Sequence, residues 1–262
     1  MNAPLPPEGY LPVANWRYFD VVIVFFAGAF AAMFAAAVIV GTGTDPFTPV
    51  PFSAIFVTQA GGSFLAVWLL SRSRGSGSLA ADVGLIVEPS DWWGVFAGIG
   101  IQIVIALLSA PLIVWLWPDG PPSQGVAQVA AASETLMEQL AVLGAVVIAA
   151  PIIEEIIFRG MLLSILRRSL SRWPAIVVSA AIFAGVHLLD PDAIAVMPGL
   201  FVLGIVLGYV ALRRGDLSLA IAIHSGINLL AAVTLLYGES VVQWAETRLE
   251  ELEQLEAVIR LF

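Results

Sequence analysis

The ionisable side chains set inside this chain's apolar stretches fall in three short fragments: Glu154-Glu155-x-x-x-Arg159, Phe183-x-x-x-His187 and His224-x-x-x-Asn228. They include both histidines of the chain. A charge in hydrocarbon costs about 2.5 kcal/mol or more, so groups placed there are there for a use. A carboxylate in low dielectric beside a histidine can take a proton from a water held between them. A second polar pair can donate hydrogen bonds to the oxyanion of a tetrahedral intermediate, a task that suits an amide side chain. Glu154 and His187 activating water, with His224 and Asn228 opposite, would make a peptide hydrolase. It would need no serine nucleophile and no cofactor.

Spacing within each fragment sorts the roles further. Glu155 and Arg159 are four apart and can pair on one helix face, acid before base, which is the favourable order. Glu154 is turned about 100° from Glu155 and is the freer carboxylate. His224 and Asn228, also four apart, leave one face together. Phe183 precedes His187 by a turn, where its ring can buttress the imidazole and limit water.

Such residues need helices to carry them across a bilayer. Hydrophobic residues make up 60% of the chain and charged ones 12%, and mean hydropathy is +0.95, which excludes an ordinary soluble domain. The reading is an all-α polytopic membrane bundle. Seven stretches are long enough, or nearly so, to span: 19–41, 52–71, 93–117, 140–166, 174–189, 196–212 and 217–237. The first reads as a retained helix rather than a cleaved signal, because no cationic segment leads into a short apolar core.

All 11 basic residues are arginine, and their placement gives the topology. Arg17, Arg72, Arg74, Arg167, Arg168, Arg172, Arg213 and Arg214 fall at one end of the alternating spans, and Asp45, Asp119, Glu134, Asp190 and Asp192 at the other. The positive-inside rule puts the N-terminus in the cytoplasm and the C-terminal tail outside a multi-pass plasma-membrane protein. The net charge of −9 comes largely from external loops and the tail, so nucleic acid is not an expected partner. With no cysteine, disulfides, thiolate metal sites and a cysteine nucleophile are excluded.

Organisation follows from composition. Residues 1–18 form a polar, Pro-rich cytoplasmic segment and 19–239 the bundle, with no second domain or repeat. Residues 72–92 make a cytoplasmic connector ending at Trp92 and Trp93, suited to the headgroup level. Residues 118–139 suggest an external loop with a short helix. From 240 to 262, Leu249, Leu252, Leu255, Val258, Ile259 and Phe262 recur against glutamates, the pattern of an amphipathic helix too charged to span. Gly94-x-x-x-Gly98 and Gly204-x-x-x-Gly208 read as packing faces, Gln59, Gln102 and Ser179 as interhelical hydrogen bonders, and Asp20 as a residue at the membrane entrance with no special role.

At 1.5 Å per residue, Glu154 lies about 20 Å along its helix from Arg167 and His187 about 22 Å from Arg172. His224 and Asn228 lie about 15 and 21 Å from Arg214. All four belong to one layer near or beyond the midplane.

The three motifs, in this order on the fourth, fifth and seventh helices, closely resemble the CAAX protease and bacteriocin-processing family, intramembrane glutamyl endopeptidases that include the Ras-converting CAAX proteases. The resemblance covers about 140–235. It implies that Glu154 and His187 activate the water, that His224 and Asn228 form the oxyanion site, and that Glu155 and Arg159 support the geometry. It also implies a site opening to the cytoplasmic leaflet, for a peptide or protein substrate arriving from that side. The chain departs in having seven spans where eukaryotic and archaeal CAAX endopeptidases usually have eight. Two rivals remain: a zinc metalloprotease using Glu154, His187 and His224 as ligands, and a non-enzymatic immunity or transport protein. No metal is expected under the first reading, and the oligomeric state is open.

Overall fold

The computed structural model describes residues 14–259. Hydrocarbon offers no partner to backbone N–H and C=O groups, so apolar runs satisfy them internally as helices. Among the described residues seven helices are long and apolar enough to cross a membrane: α1 (Tyr18–Gly41), α2 (Pro49–Arg74), α3 (Pro89–Leu116), α4 (Leu136–Leu166), α5 (Arg172–Leu189), α6 (Pro191–Arg214) and α7, whose spanning part is Ser218–Gly238. Number and order match the sequence reading, and the protein is an all-α, multi-pass membrane bundle. The ends differ where capping chemistry extends a helix beyond its apolar run. Thr135 and Glu138 form a reciprocal capping box that starts α4 four residues before the expected 140.

Neighbours pack in pairs, α1 on α2, α3 on α7 and α5 on α6, while α4 touches α1, α2, α5, α6 and α7. In the most apolar part of α4, 44% of residues are buried, against none in α3. The helix bearing the glutamates is thus the central one, and α3 is a lipid-facing wall. Small residues let backbones meet where lipid gives no hydrophobic drive for association. A Cβ on Gly98 would strike the Ile223 carbonyl, and one on Gly226 the Val95 carbonyl. Gly226 therefore marks the α3–α7 crossing and not a break in α7, which is helical throughout. Gly204 and Gly208 meet Ala180 and Ile176 of α5 in the same way.

The arginine-bearing end is closed by packed connectors. Trp16, 1% exposed, donates Nε1–H to Asp82 O at 2.8 Å, and Arg168 Nη1 donates to Trp16 O at 2.7 Å. A short helix, Leu79–Val83, brings Asp82 under Ser71 Oγ and Ser76 N–H. Asp20 corrects the sequence reading. It is fully buried, accepts from Arg17 N–H at 2.9 Å and pairs with Arg74, tying α1 to the end of α2.

The expected helical tail is continuous with the last span. Instead of a new helix from 240, α7 runs unbroken from Ser218 to Ile259, 42 residues. One glycine, Gly238, costs a helix only about 1 kcal/mol and does not stop it. How the tail's leucines pack lies outside the described residues.

Candidate active site

α4 is not a uniform α-helix. Its Gly144–Ala149 and Ile156–Leu163 stretches are π-helical and flank Ala150–Glu155. Pro151 explains what happens to the backbone in the first of them. In the wide register Ala150 N–H bonds Ala145 O, so Val146 O would next look to residue 151, which as proline has no N–H. Asn228 Nδ2 donates to Val146 O instead, at 2.9 Å. The amide expected to face an oxyanion thus spends one of its two hydrogens on the wall of α4.

Glu155 is the hub of the buried polar cluster. Its Oε1 accepts from Arg159 Nη1 at 2.8 Å, with both side chains fully buried, and lies 2.9 Å from His224 Nδ1. Arg159 also donates to Gly204 O on α6 at 3.2 Å and lies over the Phe183 ring, 4.6 Å from its centroid. A carboxylate held by a guanidinium is an acceptor only, so His224 carries a hydrogen on Nδ1 and turns Nε2 away from Glu155. That nitrogen stands 3.7 Å from Glu154 Oε2.

His187 acquires the same Nδ1 hydrogen by another route. Its Nδ1 lies 2.8 Å from Phe183 O, a carbonyl one turn earlier, so Nδ1 donates and Nε2 is left open. Phe183, fully buried, meets both imidazoles edge to face, at 5.0 Å for His187 and 5.9 Å for His224. The expected buttress is present and serves two histidines.

Glu154 remains the accessible carboxylate, its side chain 22% exposed against none for Glu155. It and His187 form a wall shared by two cavities. The smaller, about 410 Å³, lies between α3, α4, α6 and α7 and adds His224 and Asn228 to its lining. The larger, about 950 Å³, lies toward α1, α2 and α5 and includes Phe25, Phe52, Asp190 and Asp192.

The helices and cavities thus place all three motifs around one wall. Residues 136–230 match the family model of Type II CAAX prenyl endopeptidase Rce1-like. All three motifs fall inside this Rce1-like segment, in agreement with the resemblance read from them. It spans α4 to the middle of α7, and the chain outside it supplies α1 to α3. Comparison with curated proteins and with solved structures gave no match. The protein therefore carries, in a multi-pass membrane bundle, a segment of peptidase-family type.

His224, read with Asn228 as the oxyanion pair, also stands 3.7 Å from Glu154 and is oriented by Glu155. The cavity linings take their rim residues from the acid-bearing loops, at the end of the bundle away from the arginines. Among the described residues, no three of His, Asp and Glu are grouped to hold a metal ion. The short helix expected within 118–139 is Gly125–Ala131, and what sequence reasoning missed is its tie to the α5–α6 link, where Gly125 N–H donates to Asp190 Oδ2 at 2.9 Å. The Asp190-Pro191 pair, a turn-starting dipeptide, was the available signal, as Pro151 was for the π-helical stretch.

Proposed function

We propose that the protein is an intramembrane endopeptidase that cleaves a peptide bond with water activated by Glu154. The observation that carries this is the position of Glu154: an accessible carboxylate on a wall shared by two cavities, with His187 on the same wall and His224 Nε2 3.7 Å away. The match to a peptidase family supports the same reading.

A substrate chain crossing that wall would leave residues on either side of the scissile bond in the two cavities. Glu154 takes a proton from the bound water, and the water oxygen adds to the carbonyl carbon. The resulting oxyanion can accept from His224 Nε2 when that ring carries its second proton, and from the second hydrogen of Asn228 Nδ2. As the C–N bond breaks, Glu154 returns its proton to the departing amine. His187 Nε2 serves as the second acceptor for the water. Glu155, Arg159 and Phe183 position the two imidazoles.

The test is hydrolysis of a quenched fluorescent peptide library by purified protein in detergent, comparing wild type with Glu154→Ala and adding a strong zinc chelator to each. Cleavage that survives chelation and disappears in the variant is the expected result. Loss on chelation would transfer Glu154 and the histidines to a zinc site. Normal cleavage by Glu154→Ala would remove the proposal.

A further inference from the structure

The cavities and the arginines occupy opposite ends of the bundle. On α3 the smaller cavity is lined from Gln102 to Ile113, on α4 from Val142 to Glu154, and on α7 from His224 to Leu235. On each helix these positions run from the glutamate layer toward the acid-bearing end. The larger cavity continues that way to Phe47, Gln124–Ala132 and Leu189–Asp192, all in or beside the connections at that end. The other end is sealed by Trp16, by Asp82 with its donors and by the Val83 carbonyl packed against Gly160.

Charge settles which end is which. The flanks and loops at the sealed end hold Arg17, Arg72, Arg74, Arg167, Arg168, Arg172, Arg213 and Arg214, and the loops joining the spans at the open end hold none. Arginine in short loops is retained on the cytoplasmic side during insertion, and acidic residues contribute little to that choice. The sealed end is cytoplasmic and the open end external.

We infer that the site receives its substrate from the external face of the membrane, so that its substrates are exported peptides or the outward-facing ends of membrane-inserted chains. This inference rests on the peptidase reading for the word substrate, but its geometry stands without it. It also reverses the cytoplasmic access that the family resemblance implies.

The native chain has no cysteine, so single-cysteine variants report topology directly. Gln124→Cys and Asp192→Cys lie at the cavity rim, and Arg213→Cys is exposed at the sealed end. In intact cells a membrane-impermeant maleimide should label the first two, and should label Arg213→Cys only after permeabilisation. Labelling of Arg213→Cys in intact cells, or protection of both rim positions until lysis, overturns the inference. A second arm uses wild type in proteoliposomes whose orientation the same labels establish, with impermeant quenched peptides added outside or trapped within. Cleavage confined to peptides on the rim side is the expected result, and cleavage confined to the arginine side overturns it. External labelling of the rim with no cleavage on either side would leave the access route standing and defeat the peptidase proposal.

Discussion

Two clusters of buried carboxylates stand at different depths in the bundle, and the two cavities described above are both lined by a member of one of them, Glu154. At the arginine end, Asp91 accepts from Ser218 Oγ at 2.6 Å, Glu88 N–H at 2.7 Å and Arg214 Nη2 at 3.0 Å. Asp82 accepts from Ser71 Oγ at 2.5 Å and Ser76 N–H at 2.8 Å. Each is used up in fastening connectors to helices. In the glutamate layer Glu155 is fully buried and commits Oε1 to Arg159 and His224, leaving Oε2 without a hydrogen-bond partner, while Glu154 has only a 3.7 Å approach to His224, longer than a hydrogen bond. It is also the one that meets open space. Burial of charge therefore does not distinguish structure from chemistry here. Under the proposed function, unspent acceptor capacity beside a cavity does.

The sharpest way to break the comparison is to remove each carboxylate's charge while keeping its shape. Glu154→Gln should lower peptide hydrolysis by at least about a hundredfold, the usual share of a general base, with thermal unfolding in detergent little changed. Asp82→Asn should leave the rate per folded molecule intact. Equal rate losses would mean that the two clusters do not differ in kind.

Next in size is the buried ion pair. Arg159→Met strands Glu155 and should cost about 3–5 kcal/mol of stability, read from the shift in thermal unfolding. Adding Glu155→Leu should recover much of that stability, since an apolar pair of similar volume fits a buried site. Activity should stay low because His224 loses the acceptor that fixes its Nδ1. Recovery of activity in the double variant would show that Glu155 does not orient the ring.

A smaller effect is expected at Asn228. Asn228→Ala leaves the Val146 carbonyl without its donor, a loss of about 1–3 kcal/mol for a buried acceptor. A fall in kcat with KM unchanged would add the oxyanion role to this structural one. A stability loss alone would confine Asn228 to the wall of α4.

The smallest effect is one of pH, at Asp82. Burial raises its carboxyl, but hydrogen bonds from Ser71, Ser76 and Gly77 outweigh burial and hold it below the usual aspartate value of 3.8. A lowered folded value favours the ionised form, so its stabilisation is complete above the unfolded value and is lost as pH falls through the folded one. Unfolding temperature measured from pH 5 down to 2 should fall less steeply in Asp82→Asn than in wild type. Parallel curves would remove Asp82 from the acid response.

Seven spans, their order and the shared depth of the four polar residues were legible because apolar length and helical rise are local properties. So was the Glu155–Arg159 pair, since residues four apart meet on any helix. The partner of Glu154 was not. Ideal helices bring His187 and His224 to similar depths, but only the rotation of α7 against α4, set by the close α3–α7 crossing at Gly98 and Gly226, brings His224 Nε2 to 3.7 Å. The bond from Asn228 to the Val146 carbonyl was hidden for a similar reason. Pro151 removes an N–H in α4, yet which side chain would answer that loss depends on a helix 77 positions away.

The direction of access belongs to the same division. Under the inferred access route, arginine placement along the chain sets which end of each span is cytoplasmic, because charge is read one loop at a time during insertion. Which end holds the cavity was decided by packing alone. Trp16, Asp82 and Val83 fill the arginine end, while the rim helix and the Asp190 turn leave the other end hollow. Cavities are what remains after side chains from many helices have been placed, and no local pattern records that remainder.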